Sequence, residues 1–203
     1  LAAIIGSAQT NSVPVLFTTG IYMIVTPLLV CRQTAADITR GFTQDIQRGF
    51  ILSGLAGAAI QPNVGTGNMI KVAGTAQDAV LQLGAGACIA SRIENISLNG
   101  SFGNGTKNGI HTLYDYWSSL SLVNVRITDV DWSVWIDGAA NGGNGEYFNA
   151  YNSYFHGRVG CYKNTSPSGQ ALIHTLTSCI SQTDNGGTQF WVTSTQLNVF
   201  GWS

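Results

Sequence analysis

Carboxylates are scarce in this chain and unevenly placed. Asp and Glu together number 10 among 203 residues, and Asp129, Asp131, Asp137 and Glu146 crowd into and just beyond "VRITDVDWSVWIDG". Glycoside hydrolysis needs two carboxylates at a defined separation, one to protonate the leaving oxygen and one to act as base or nucleophile. In an extended strand Asp129 and Asp131 share a face, with Cα atoms about 6.5–7 Å apart. A lyase needs a base for the proton α to a uronate carboxylate, and a cation for the enolate that forms. Arg126, His156 and Arg158 can serve that chemistry, so Asp129, Asp131, Asp137, His156 and Arg158 are the candidate catalytic residues. The plain alternative is a polar, solvated strand face with no reaction on it.

A second signal is aromatic. In "NGIHTLY", "SVWID", "VGCYK" and "QFWVT" the alternation puts His111, Trp135, Tyr162 and Trp191 on outward positions. Stacked rings can dock against the CH faces of sugars while Asp137, Lys163 and Asn164 bind hydroxyls. Arg126, Trp135, Tyr162 and Trp191 are therefore the candidate substrate-binding residues. An exposed aromatic stripe equally suits a subunit interface.

These side chains must be positioned by elements that repeat. "ENISLNG", "VNVRITD", "YNSYFHG", "LTSCISQ" and "LNVFGWS" align, with Asn95, Asn124, Asn152, Ser178 and Asn198 at spacings of 29, 28, 26 and 20 residues. Each copy but the last is followed by a second short strand, and Gly and Asn mark the bends. Two or three strands per repeat with such bends compose a parallel β-helix, in which stacked repeats about 4.8 Å apart bury columns of like side chains. Ile96, Val125 and Cys179 form one expected inward column, and Leu98, Ile127 and Phe155 another. Arg126 then lies beside Tyr154, and Thr128 beside His156. The recurrent Asn needs no catalytic role, because Asn tolerates a sharp bend and can bond the neighbouring repeat.

Other classes are disfavoured. Charged residues are 9% of the chain and the net charge is -1, which leaves no basic stripe for nucleic acid. The longest apolar run, "IYMIVTPLLVC", is short of a bilayer span and broken by Pro27. Cys31, Cys88, Cys161 and Cys179 lack metal-ligand spacing and read as buried free thiols, so neither metal nor cofactor is expected. "LQLGAGACIAS" has a Gly-x-Gly-x-x-Ala form, but the next strand pattern follows too soon for a dinucleotide-binding helix. "GNGTKNG" lacks the Gly-Lys-Ser/Thr order of a phosphate loop. Of the sequons at Asn95, Asn104 and Asn164, Asn95 falls in a strand pattern where a glycan would disrupt packing.

The passage "LAAIIGSAQTNSVPVLFTTGIYMIVTPLLV", with Thr18-Thr19-Gly20-Ile21-Tyr22 at its turn, resembles the opening of the pectate-lyase-like superfamily. Thr18 stands where the family usually has Pro. "GFILSGLAGAAI" and "SRIENISLNGSFGNGTKNGIHT" are similar to repeats of its rhamnogalacturonase/epimerase-like group, which includes phage tailspikes. The resemblance implies one all-β domain over 1–203, a right-handed single-stranded parallel β-helix. A short N-terminal capping helix over 1–10 and coils over 13–203 are expected, with an insertion at 32–49. The opening at Leu1 and the close within an apolar alternation suggest a piece of a longer chain. The implied function is binding, and degradation by a lyase or glycoside hydrolase, of a surface polysaccharide, at the virion tail or another extracellular surface. The expected state is a homotrimer that does not insert in membranes. The other expectation is a non-catalytic structural or adhesive β-helix.

Overall fold

The computed structural model describes residues 14–24, 28–30, 50–62, 79–83, 91–100, 108–112, 119–136, 147–165, 173–193 and 196–203. Their regular structure is all β, and every strand pairing is parallel. One sheet orders β1 (Val15–Phe17), β4 (Ile51–Gly54), β7 (Ser91–Glu94), β10 (Ser119–Val123), β12 (Tyr147–Tyr151), β14 (Ile173–Thr177) and β17 (Gln196–Phe200). The other runs through β2 (Gly20–Ile24), β5 (Ala58–Pro62), β8 (Ser97–Asn99) and β11 (Arg126–Ile136), then β9 (Asn108–Thr112), β6 (Ala79–Leu83) and β3 (Leu28–Val30). On the far edge of β11 lies β13 (Tyr154–Asn164), which in turn pairs with β15 (Ile180–Thr183) and β16 (Thr188–Val192). The capping helix expected over 1–10, the insertion at 32–49, Cys31, Cys88 and Asn104 lie outside the described residues.

The repeat is visible in the bends. Asn95, Asn124, Asn152 and Ser178 have φ of 55°, 53°, 48° and 52°, the left-handed region that Asn tolerates better than most side chains. Each follows a strand of the first sheet and turns the chain into the second. The backbone N–H of each donates to the next repeat: Asn95 to Val123 O, Asn124 to Tyr151 O, Asn152 to Thr177 O and Ser178 to Phe200 O. Asn124 Nδ2 also donates to Asn95 Oδ1 at 3.0 Å. Asn198 does not belong to this series. It pairs with Thr175 inside β17, and Gly201, with φ 57°, takes the bend opposite Ser178. Asn95 itself is exposed at its bend, so its sequon does not lie on a packed strand face as expected.

Inside, the columns are continuous. Leu52, Ile93, Leu122, Ala150 and Leu176 succeed one another in register and are buried. On the second sheet Leu98, Ile127 and Phe155 stack as expected. Ile96, Val125 and Cys179 are buried just past the bends, with Ser153 interposed and its hydroxyl accepting from Val125 N. Each fully buried Leu, Ile or Phe contributes about 1.5–3 kcal/mol, so the columns hold the two sheets together. Cys161 and Cys179 are free, buried thiols whose Sγ atoms donate to backbone carbonyls; burial raises both pKa values above the ordinary 9.0.

One expectation is corrected here. The second short strand "SVWID" is not separated by a bend from the strand that "VNVRITD" supplies past Asn124, because β11 runs unbroken from Arg126 to Ile136 and β13 matches it over eleven residues. Two register shifts absorb the change of direction. Between Ile127 and Val130 β11 carries an extra residue, and between Val130 and Trp132 β13 carries one, so the strands return to register at Trp132 and Gly160. Bulges of this kind bend and twist a strand without ending it.

Candidate functional site

The bulges determine which side chains meet. Asp129, in the first, has φ 58°, a conformation that costs energy for a residue other than Gly. Thr128 and Asp129 together oppose His156; Thr128 is buried and Asp129 partly exposed, so Asp129 rather than Thr128 shares the outer surface with His156. Gly157 and Gly160 delimit the second bulge. A Cβ on Gly157 would strike the Gly160 carbonyl, and one on Gly160 would strike the Trp132 ring and the Thr188 carbonyl. Glycine is therefore required where β11, β13 and β16 converge.

Between these glycines Arg158 emerges beside Asp131. Its Nε and a terminal guanidinium nitrogen both donate to Asp131 Oδ1, at 3.1 and 2.9 Å. One repeat further on, His156 Nε2 meets Asp184 Oδ1 at 3.2 Å. These groups are partly buried except for Asp184, whose side chain is 54% exposed. Upstream on the same strands, the Arg126 guanidinium lies 4.3 Å from the centre of the Tyr154 ring, whose hydroxyl donates to Gln182 Oε1 at 2.6 Å. Of the expected site residues, Asp129, Asp131 and Arg126 lie on β11 and His156 and Arg158 on the adjacent β13, with Asp131 and Arg158 in contact. Asp137 lies outside the described residues.

The aromatic column differs from the expectation. His111, Trp135 and Trp191 share one column, but its member on β13 is Lys163, not Tyr162. Lys163 Nζ lies 4.1 Å from the Trp135 ring centre and 5.4 Å from that of Trp132. His111 is buried and stacks on Trp135 at 4.5 Å, whereas Trp191 is 51% exposed. Trp135 Nε1 donates to Thr165 Oγ1 at 2.8 Å.

Tyr162 turns inward. Gly160, Cys161 and Tyr162 are consecutively buried, because the strand loses its alternation as it leaves the bulge. The Tyr162 hydroxyl bonds His174 Nδ1 and its ring packs on Phe148. Burial pushes the Tyr162 pKa far above its ordinary 10.0, so the phenol keeps its proton. Asn164 is also fully buried, which removes it as a surface contact for hydroxyls and as a glycosylation acceptor in the folded chain.

Asp184 and Gln182 were not among the expected site residues. Their signal lay in the stacking: Gln182 pairs with His156 in the next repeat, and Asp184 follows two residues later. Among the described residues no three His, Cys, Asp or Glu side chains are grouped to hold a metal. No helix among them is long and apolar enough to cross a membrane.

Chemically the patch offers an imidazole oriented by a carboxylate and a guanidinium held by another. A carboxylate at Nε2 favours the proton there and leaves Nδ1 as a base. No known protein family, no curated protein and no solved structure matches the chain.

Proposed function

We propose that the chain is a right-handed parallel β-helix of the pectate-lyase-like type, capped at its N-terminus by a helix, which binds and cleaves a surface polysaccharide. The observation that carries the reading is a pair of neighbouring contacts, the His156–Asp184 hydrogen bond and the Arg158–Asp131 ion pair, whose His156, Arg158 and Asp131 stand on the bulged strands. Its repeat spacing, left-handed Asn bends and parallel register support the fold part of the proposal. A virion-tail or other extracellular surface and a trimeric state belong to the same reading.

Of the two cleavage chemistries, proton abstraction fits better than a two-carboxylate mechanism. Asp131 Oδ1 already accepts two hydrogen bonds from Arg158, so this carboxylate serves to position the arginine. In the proposed step His156 Nδ1 takes the proton α to a uronate carboxylate, and the C–H electron pair becomes the new double bond. The glycosidic oxygen leaves from the β carbon and takes a proton from water, while Arg158 offsets charge on the substrate carboxylate. Asp129, Arg126, Trp135, Lys163 and Trp191 line the same two faces and supply contacts to neighbouring sugars. Removing the base tests this: His156→Ala abolishes chain shortening of a cleaved capsule polysaccharide while retaining its binding. Equal cleavage by His156→Ala and wild type would discard the site.

A second reading is favoured by the edge of the sheet. Trp191 and Val192 are exposed on β16, whose one strand partner among the described residues is β13, a surface suited to another subunit of a structural or adhesive assembly. Light scattering separates the two, since a stable monomer with Trp191 fully exposed removes the interface reading.

A further inference from the structure

The first sheet has an outer face that the site above does not use. Residues alternate along its strands, so three outward rows cross it. The middle row is Ser121, Asn149, Thr175 and Asn198, in register on β10, β12, β14 and β17. On one side Ser119, Tyr147, Ile173 and Gln196 follow one another, and on the other Val123, Tyr151, Thr177 and Phe200. Tyr147 and Tyr151 are 43% and 40% exposed, and four residues of strand set them about 13 Å apart on one face. The charges in these rows are Arg92 and Glu94, which neutralise each other at 2.6 Å.

We infer that this face is a second carbohydrate-binding surface, and that its ligand is an uncharged oligosaccharide lying along the row of Ser121, Asn149, Thr175 and Asn198. Three observations select that chemistry. The row is made of hydroxyls and amides, which can donate and accept, and among the described residues the Ser121, Asn149 and Thr175 side chains make no hydrogen bond. Tyr147 and Tyr151 flank it on its two sides, and exposed aromatic rings can pack on the CH groups of sugars. The face carries no net charge, so neither an anionic glycan nor a nucleic acid is matched to it.

A second copy of the chain fits less well. The centre of a subunit interface is apolar and its rim polar. Here the middle row is polar from Ser121 to Asn198, and the margins mix Tyr147, Ile173, Val123, Tyr151 and Phe200 with Ser119, Gln196 and Thr177. The inference shares with the proposed function the idea of a glycan-binding protein, but it uses different residues on a different sheet.

The test is binding of the full chain to immobilised neutral glucose, galactose and mannose oligosaccharides at low and high salt. Wild type is compared with Tyr147→Ala/Tyr151→Ala, Asn149→Ala and Asp131→Asn. The expected result is retention on at least one neutral probe, insensitive to salt, about tenfold weaker in the tyrosine double variant and unchanged in Asp131→Asn. Three results would overturn the inference. One is no retention on any neutral probe. Another is retention lost in Asp131→Asn but kept in the tyrosine variant, which assigns binding to the bulge site instead. The third is a wild-type oligomer that the tyrosine variant converts to monomer, which makes the face a subunit interface. Cleavage of an acidic capsule, measured separately, stands or falls independently of all three.

Discussion

Tyr162 shows how one residue can invert an expectation. Its phenol sits against Phe148 and bonds His174 Nδ1 between the two sheets, where water cannot replace a lost partner. Tyr162→Phe keeps the ring and removes the hydroxyl, leaving His174 Nδ1 without this partner, so it should cost about 1–3 kcal/mol in urea unfolding. The pH dependence has a definite sign. Burial raises the folded-state pKa of Tyr162, Cys161 and Cys179 above ordinary values of 10.0 for the phenol and 9.0 for the thiols. In the range above those values the unfolded chain has released protons that the folded chain keeps, so stability is full below them and falls as pH rises. A stability–pH profile should turn down above about pH 9, and less steeply in Tyr162→Phe; a profile flat to pH 11 would contradict the buried, protonated groups. The sequence made Asp129 and His156 legible, because they fall in the aligned repeats "VNVRITD" and "YNSYFHG", with Asp131 and Arg158 just past them, whereas Asp184 was not among the expected residues. It did not make Tyr162 legible. Alternation puts Tyr162 outside and Cys161 inside, and only the bulge after Gly157, invisible in the residue pattern, buries both.

Among the elements, the bends and the bulges hold the account. Recurrent Asn in the sequence located three of the bends correctly, since the left-handed conformation restricts the choice of residue. The last bend was misassigned to Asn198 because Gly201 meets the same backbone demand without the amide. At Asn124 a glycine keeps the backbone freedom and loses the bond to Asn95, whereas alanine loses both. Asn124→Ala should therefore be less stable than Asn124→Gly by about 1 kcal/mol, measured by thermal or urea unfolding. Gly160→Ala tests the bulge. Its methyl would collide with Trp132 and the Thr188 carbonyl, so a loss of about 1–3 kcal/mol is expected, together with a change in tryptophan fluorescence. Unchanged stability would show that β13 does not approach β11 and β16 this closely.

At the scale of the molecule, parallel pairing of strands some 23 to 29 residues apart turns a weakly charged, Gly-rich and Asn-rich chain into two sheets with separate outer faces. The bulged strands and their neighbour β16 carry the His156 and Arg158 patch and the Trp135, Lys163 and Trp191 column, while the first sheet carries the neutral row. The direct test of the central claim is ultraviolet absorbance during incubation of the chain with a panel of uronate-containing bacterial capsules. With wild type the absorbance of unsaturated sugar ends should rise on at least one capsule, and with His156→Ala it should not. Chain shortening seen as new reducing ends without that absorbance, or no shortening of any capsule, would contradict it.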